Sequence, residues 1–144
     1  MSTAYERADL LLKLYDLRRE SVMREARAWY ARSFNPDGVE DVLRAVGGPN
    51  SAHFRMTTSY WDMAASLVLN GAIDEQMFND ANGEHVVVFA KIEPFLGEYR
   101  TRTGNPTYLG NLEKLVMKIP GASERLVRLR ERFRQMATQA SATR

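Results

Sequence analysis

Four polar side chains interrupt an otherwise apolar stretch at helical spacing, and they are the clearest candidates for chemistry. Arg55, Ser59, Asp62 and Ser66 follow one another at steps of four, three and four residues, so a helix places them on one face, and the first three are candidates for a site. Arginine can hold a carboxylate or phosphate through two parallel hydrogen bonds, while aspartate orients the ligand or accepts a proton. With Trp61 and His53 they form a candidate site for a small anionic ligand, although a solvent-exposed helix edge is the simpler interpretation.

Histidine is the second residue type that could do chemistry, and the sequence contains two, His53 and His85. A metal site on a helix needs a second histidine or a carboxylate three or four residues away, and neither histidine has one. The sequence therefore predicts no metal site and no cofactor. We expect His53 to lie at the surface, and His85, which falls on an apolar stripe, to be hydrogen-bonded in the core.

Sequence signatures of catalysis are missing. The chain has no cysteine, which excludes disulfides, thiolate nucleophiles and iron–sulfur clusters. It also has no glycine-rich phosphate loop, no Gly-x-Ser-x-Gly and no His-Glu-x-x-His. We predict no catalytic residue and favour a non-enzymatic protein, while an enzyme built from residues far apart in sequence stays open.

The last predicted helix combines an apolar stripe with several arginines. Leu126, Leu129 and Phe133 recur at three- and four-residue steps, and Arg128 and Arg132 flank them. Glutamates occupy the outward face, where a helix that reads a nucleic-acid groove would place positive charge. Arginine beside an apolar seam is typical of a docked helix, so we predict a homodimer contact at these five residues and favour nucleic acid less as a partner.

Charge is distributed unevenly along the chain. Residues 1–34 carry 7 basic and 5 acidic groups, residues 35–98 carry 3 and 10, and residues 99–144 carry 10 and 3. The acidic centre can attract both basic ends. We interpret this pattern as complementarity within the chain or between two subunits.

The pattern of glycine, proline and capping residues predicts a single all-α domain over residues 1–144, with six to eight helices around a buried central helix, Ser51–Leu69. The apolar stripe changes phase at Arg18–Ser21, which favours two helices over one in residues 4–34. Val86–Phe89 has strand-forming side chains, but no second strand-like segment can pair with it, so we predict a helix there.

Local signals also predict where individual helices begin and end. Asp37 and Asp74 should each cap a short helix, and Asn105–Pro106 should begin another. Pro94 should kink its helix or begin a new one. From about Gln139 onward we expect a frayed end.

The sequence also suggests a cellular setting. Met1–Arg19 carries charges where a signal peptide needs an unbroken apolar stretch. The longest uncharged stretch in the middle, Met63–Ile73, is shorter than the roughly 20 residues that cross a bilayer as a helix. We therefore expect a cytoplasmic protein with no membrane span.

One stretch of sequence resembles a known family. Tyr60–Arg100 contains an apolar helix that leads into NGAID, a short acidic segment, and a long segment that ends in KIEPFLGEYR. This pattern resembles an uncharacterised bacterial family of small helical proteins, grouped only as a domain of unknown function. The resemblance implies an all-helical bacterial domain and carries no functional residues.

Taken together, these observations favour a non-enzymatic protein-interaction module that forms a homodimer. The first alternative is a helical bundle that binds, or acts on, a small anionic ligand at Arg55 and Asp62. The second is a protein that binds nucleic acid or an anionic surface through its arginine-rich C-terminal helix.

Overall fold

Eight α-helices account for most of residues 3–142, the part of the chain that the structure, a computed structural model, describes. No strand occurs within that part, which confirms the all-α class and the predicted number of helices. The helices are α1 (Ala4–Arg18), α2 (Ser21–Arg32), α3 (Val39–Gly47), α4 (Ser51–Leu69), α5 (Glu75–Ala81), α6 (Glu84–Thr103), α7 (Gly110–Met117) and α8 (Ala122–Ala142).

The central helix is α4, and its bounds are the predicted ones. It packs against α2, α3, α5, α6 and α7. Its side chains on several sides are buried, as expected for a helix that is apolar around most of its circumference. The largest of these are Phe54 and Trp61. The prediction of a buried central helix is confirmed.

Residues 4–34 form two helices, as the phase change predicted. The separation lies at Glu20, whose carboxylate accepts hydrogen bonds of 3.0 Å from the backbone N–H groups of Val22 and Met23. These bonds cap the first turn of α2, and they lower the pKa of Glu20. A residue that caps one helix cannot at the same time continue the preceding helix, so α1 ends before Glu20 and α2 begins after it.

Val86–Phe89 is helical, as predicted, and α6 continues through Pro94 without a restart. Proline has no N–H, so the carbonyl of Ala90, four residues earlier, loses its helical donor. Arg130 of α8 replaces that donor, because its Nη1 lies 3.1 Å from the Ala90 oxygen. The same guanidinium lies 3.3 Å from a carboxylate oxygen of Glu93. The proline in α6 thus creates an attachment point for α8.

Two of the predicted helix starts are wrong. Asp37 does not cap α3; Gly38 precedes that helix without a side-chain cap, and the Asp37 N–H donates to Asp41 at 2.8 Å. Asn105–Pro106 does not begin α7, because the residues from there to Leu109 form turns and the helix starts only at Gly110.

Other predicted helix ends have mixed outcomes. Asp74 caps α5 as predicted, since its carboxylate accepts from the N–H of Met77 at 2.9 Å. Helix α8 is described to Ala142; the frayed end predicted from about Gln139 extends to residues 143 and 144, which lie outside the described part, and stays a prediction.

Ion pairs join the acidic centre of the chain to its basic ends. Arg27 of α2 lies 2.8 Å from Glu84. From the C-terminal side, Arg102 pairs with Glu40, Lys118 with Glu75 and Arg130 with Glu93. Much of the charge complementarity predicted from sequence is therefore used within the chain. None of the helices in residues 3–142 is long and apolar enough to cross a membrane.

Candidate functional site

The polar strip on α4 is divided between exposed and half-buried residues. Arg55 and Ser59 are exposed, and the Arg55 Nε donates to Ser51 at 3.0 Å. Within residues 3–142, no hydrogen bond or ion pair joins Arg55 to Asp62. These two residues therefore fit the simpler interpretation, a solvent-exposed edge of the helix.

Asp62 is half-buried and already has a structural task. Its Oδ1 accepts a 2.9 Å hydrogen bond from the backbone N–H of Leu112, and its Oδ2 lies 3.4 Å from the Asn111 side-chain nitrogen. Both partners lie in the first turn of α7, whose own preceding residue, Leu109, offers no side-chain cap. The carboxylate therefore caps α7 from a different helix, where negative charge is favoured.

Replacing Asp62 with alanine should lower the free energy of unfolding by about 1 kcal/mol, the usual cost of losing an N-terminal cap. Chemical denaturation followed by circular dichroism measures this change. Ser59→Ala on the same helix is the matched control and should stay within about 0.5 kcal/mol of wild type. Equal effects from the two variants would contradict the capping role.

The two aromatic candidates each pack against another ring. Trp61 is buried, with its ring centre 5.9 Å from that of His85. The ring centre of His53, which is half-buried, lies 6.1 Å from that of Trp29. No hydrogen bond or ion pair within residues 3–142 joins either of them to Arg55, Ser59 or Asp62.

The apolar stripe of α8 packs on the core of its own chain. Leu126 is fully buried, and Leu129 and Phe133 are partly buried against the core. Arg128 and Arg132 are exposed. Leu126 is thus engaged within one subunit, whereas Leu129 and Phe133 keep part of their surface exposed. The homodimer contact predicted at these residues stays a prediction.

Helix α1 carries several strongly exposed apolar side chains. Tyr5 is 82% exposed, Leu12 65% and Tyr15 50%. Together with the half-buried Ala8 they define what we call the outer face of α1, spaced at three, four and three residues. Apolar residues at alternating three- and four-residue steps are typical of a helix that packs against another helix. Sequence reasoning missed this face because the same helix carries a second apolar stripe.

Lys91 of α6 is buried and caps α2. Its ammonium donates to the carbonyl oxygens of Tyr30, Ala31 and Phe34 at 2.8 to 3.0 Å, and lies 3.3 Å from the Asn35 side-chain oxygen. Carbonyls at a helix C-terminus lack helical donors and favour a cation. Burial lowers the pKa of Lys91 to about 8, so it is still mostly protonated at pH 7. Its three protons are occupied, which leaves none for the cleft of about 420 Å³ that it borders.

His85 of α6 is buried, as predicted, but it is not hydrogen-bonded. The side chain is 1% exposed, and neither ring nitrogen has a partner among residues 3–142. Its ring packs against those of Trp61 and Phe78. Burial, and next the positive charge of Arg125, lower the pKa of His85 to about 4. The ring is therefore neutral at pH 7, and the described residues contain no cluster of three metal-ligating side chains around it.

Comparison with known proteins places this fold in one family. No curated protein and no solved structure matches the chain. One family matches residues 3–119, which extends the sequence resemblance seen at Tyr60–Arg100 to helices α1 to α7 and leaves α8 outside. Because the match covers most of its length, the chain belongs to the family described as Domain of unknown function (DUF4760).

Proposed function

We propose that this protein is a non-enzymatic interaction module that forms a homodimer through the outer face of α1. The observation that carries the proposal is the exposure of Tyr5, Leu12 and Tyr15 on one side of a single helix. Contiguous apolar side chains at a surface are typical of a protein contact. A bacterial, cytoplasmic protein is part of the same proposal.

Helix α1 is apolar on two sides, and the chain covers only one of them. Leu14 is buried and Leu10 and Leu11 pack against the core. The outer face lies beside this stripe on the same helix, and Leu12 and Tyr15 line one pocket together with Leu11 and Leu14. A helix that is apolar on several sides is normally surrounded by protein, so the exposed side calls for a partner.

A second copy of the chain is the partner that best fits this face. The three-four-three spacing of the outer face is the repeat by which two like helices pack side by side. Most soluble oligomers are built from identical chains, with the same patch on both subunits. Since many charges already pair within the chain, we expect an apolar contact with little dependence on salt.

Light scattering tests the proposal through the solution mass. Wild type should have twice the chain mass of 16.4 kDa at both low and high salt, whereas Leu12→Asp should have the single-chain mass. Val127→Asp is the matched control, because Val127 is 48% exposed on α8 and should leave the dimer intact. A monomeric wild type, or a dimer that survives Leu12→Asp, would contradict this assignment.

The arginines of α8 favour a second candidate function, binding to nucleic acid or another anionic surface. Arg128, Arg132 and Arg134 are exposed, but Arg130 is held by Ala90 and Glu93 and exposed Glu131 lies among them. A DNA-binding assay at rising salt tests this candidate, since release of counterions gives a steep loss of affinity. The mixed charge makes it the less favoured proposal.

A further inference from the structure

The outer face of α1 has the same spacing in both directions along the helix. Its four residues, Tyr5, Ala8, Leu12 and Tyr15, follow one another at steps of three, four and three residues, and a large ring lies at each end. The midpoint of the face is position 10. Two copies of α1 that pack antiparallel around a two-fold axis at this midpoint therefore bring Tyr5 of one chain level with Tyr15 of the other, and Ala8 level with Leu12.

The sizes of the facing side chains favour this orientation over a parallel one. Antiparallel packing sets the small Ala8 of each chain against the larger Leu12 of the partner subunit, so the two central layers of the contact have equal volume. Parallel packing sets each residue against its own copy, which gives a layer of two alanines next to a layer of two leucines. Facing helices pack best when small residues lie opposite large ones, because their side chains then interdigitate without leaving a void.

The exposed ring of Tyr5 gains a better contact in the antiparallel orientation. Tyr5 is 82% exposed, the highest value on the outer face. Near the other end of the face lies an apolar cavity of about 90 Å³, which Leu12 and Tyr15 line together with Trp61 and Phe78. Antiparallel packing brings Tyr5 of the partner subunit to the height of Tyr15, beside this cavity. Parallel packing leaves it about 15 Å further along the helix axis, against another Tyr5.

Charge beside the outer face favours the same orientation. Asp9 and Lys13 form an exposed ion pair of 3.1 Å on one flank of the face, and Ala4 and Leu11 lie on the other flank. Around an antiparallel two-fold axis equivalent flanks meet, so each Lys13 lies about 3 Å along the axis from Asp9 of the partner subunit. The two Asp9 side chains also approach each other, but the lysines on either side supply two attractions against this one repulsion. In a parallel pair the charged flank would meet the uncharged Ala4 and Leu11 instead.

We propose that two copies of this chain pack antiparallel through α1, with the two-fold axis at position 10 and Ala8 facing Leu12 of the partner subunit. This inference rests on the proposed function, because it specifies the orientation of that homodimer. The symmetric spacing, the sizes of the facing side chains and the charge of the flank carry it. Charge complementarity sets the orientation here more than it adds affinity.

Disulfide crosslinking tests the orientation, because the chain has no cysteine of its own. Ala8→Cys and Leu12→Cys are prepared separately, mixed, oxidised and separated on a gel without reductant. In the antiparallel dimer the two thiols face each other only when the two variants are combined. In either variant alone they lie about 6 Å apart along the axis in addition to the separation of the helices, which exceeds the Cα distance of about 7 Å that a disulfide permits. We expect the mixture to give at least about fivefold more crosslinked dimer than either variant alone.

A mixture of Ala8→Cys with Val127→Cys is the matched control for random collision, because Val127 is 48% exposed on α8. A mixture of Ala8→Cys and Leu12→Cys that crosslinks no better than this control would overturn the proposed orientation. Ala8→Cys that crosslinks alone as strongly as in the mixture would also overturn it, since a parallel dimer gives that result. If Leu12→Cys weakens the dimer, Tyr5→Cys mixed with Tyr15→Cys asks the same question at the ends of the face.

The solution mass of the wild type separates failure of this inference from failure of the proposed function. A wild type with the single-chain mass of 16.4 kDa would overturn both proposals. A wild type with twice that mass, together with crosslinking in the parallel pattern, would overturn the orientation and leave the homodimer in place.

Discussion

Replacing Lys91 with methionine should lower the free energy of unfolding by about 3 kcal/mol. Methionine keeps most of the buried stem but donates no hydrogen bond. The carbonyls of Tyr30, Ala31 and Phe34 would then be left without the ammonium that caps α2. Each unpaired buried carbonyl destabilises the folded state by about 1–3 kcal/mol. The variant no longer buries a charge, and this gain in stability offsets part of the total loss.

Urea denaturation at pH 7, followed by circular dichroism, measures this loss. Lys114→Met is the matched control, because Lys114 is exposed on α7 and its replacement should change stability by less than about 0.5 kcal/mol. If Lys91→Met were as stable as Lys114→Met, the free-energy cost of burying the ammonium would outweigh its hydrogen bonds to the three carbonyls, and Lys91 would not be a stabilising cap.

Acidification should destabilise the protein between about pH 6.5 and pH 4 because of His85. The folded protein holds the pKa of this ring at about 4, below its ordinary value of 6.5, mainly through burial and further through Arg125. In this window the unfolded chain binds a proton that the folded chain does not. The stabilisation is complete above pH 6.5 and is lost as the pH falls, by up to about 3 kcal/mol in total.

The chain provides its own control for this pH dependence, because it contains only two histidines. Denaturation curves at several pH values should show that His85→Leu removes most of the slope between pH 4.5 and 6.5. His53→Gln should retain it, since His53 is only half-buried. The charged groups that line the same cavity as His85 are Glu75, Lys118 and Arg125. Both variants keep them, so their contribution to the pH dependence is the same in both. A slope that persists in His85→Leu would rule out this origin.

The parts of the fold that could be predicted are those governed by local chemistry. The bounds of α4 follow from the residues at its ends, and Asp74 caps α5 through a bond to a residue three positions away. The start of α7 could not be predicted in this way. Its cap is Asp62, 50 residues earlier in the chain, and Leu109 enters the helix with a φ of 55°, a conformation that few non-glycine residues adopt.

Predicting the functional surfaces was harder, because it requires knowing which of several apolar stripes the core uses. Leu126 and Phe133 of α8 and Leu12 of α1 all occur at helical spacing, and sequence alone does not rank them. Packing against the core buries Leu126 and partly buries Phe133, and it leaves Leu12 exposed. The missing hydrogen bonds of the His85 nitrogens were harder still to predict, because they depend on which side chains of other helices, such as Trp61 and Phe78, pack against the ring.

The proline in α6 also has a consequence for how α8, which lies outside the family match, is attached. The family match ends at residue 119, and the helix that follows is attached through Arg130 to the one backbone acceptor that Pro94 leaves open. A proline at position 98 would open the carbonyl of residue 94 instead, about 6 Å further along the helix axis. The N–H group that Pro94 lacks thus helps to set the height at which α8 docks, together with the packing of Leu126, Leu129 and Phe133 on the core.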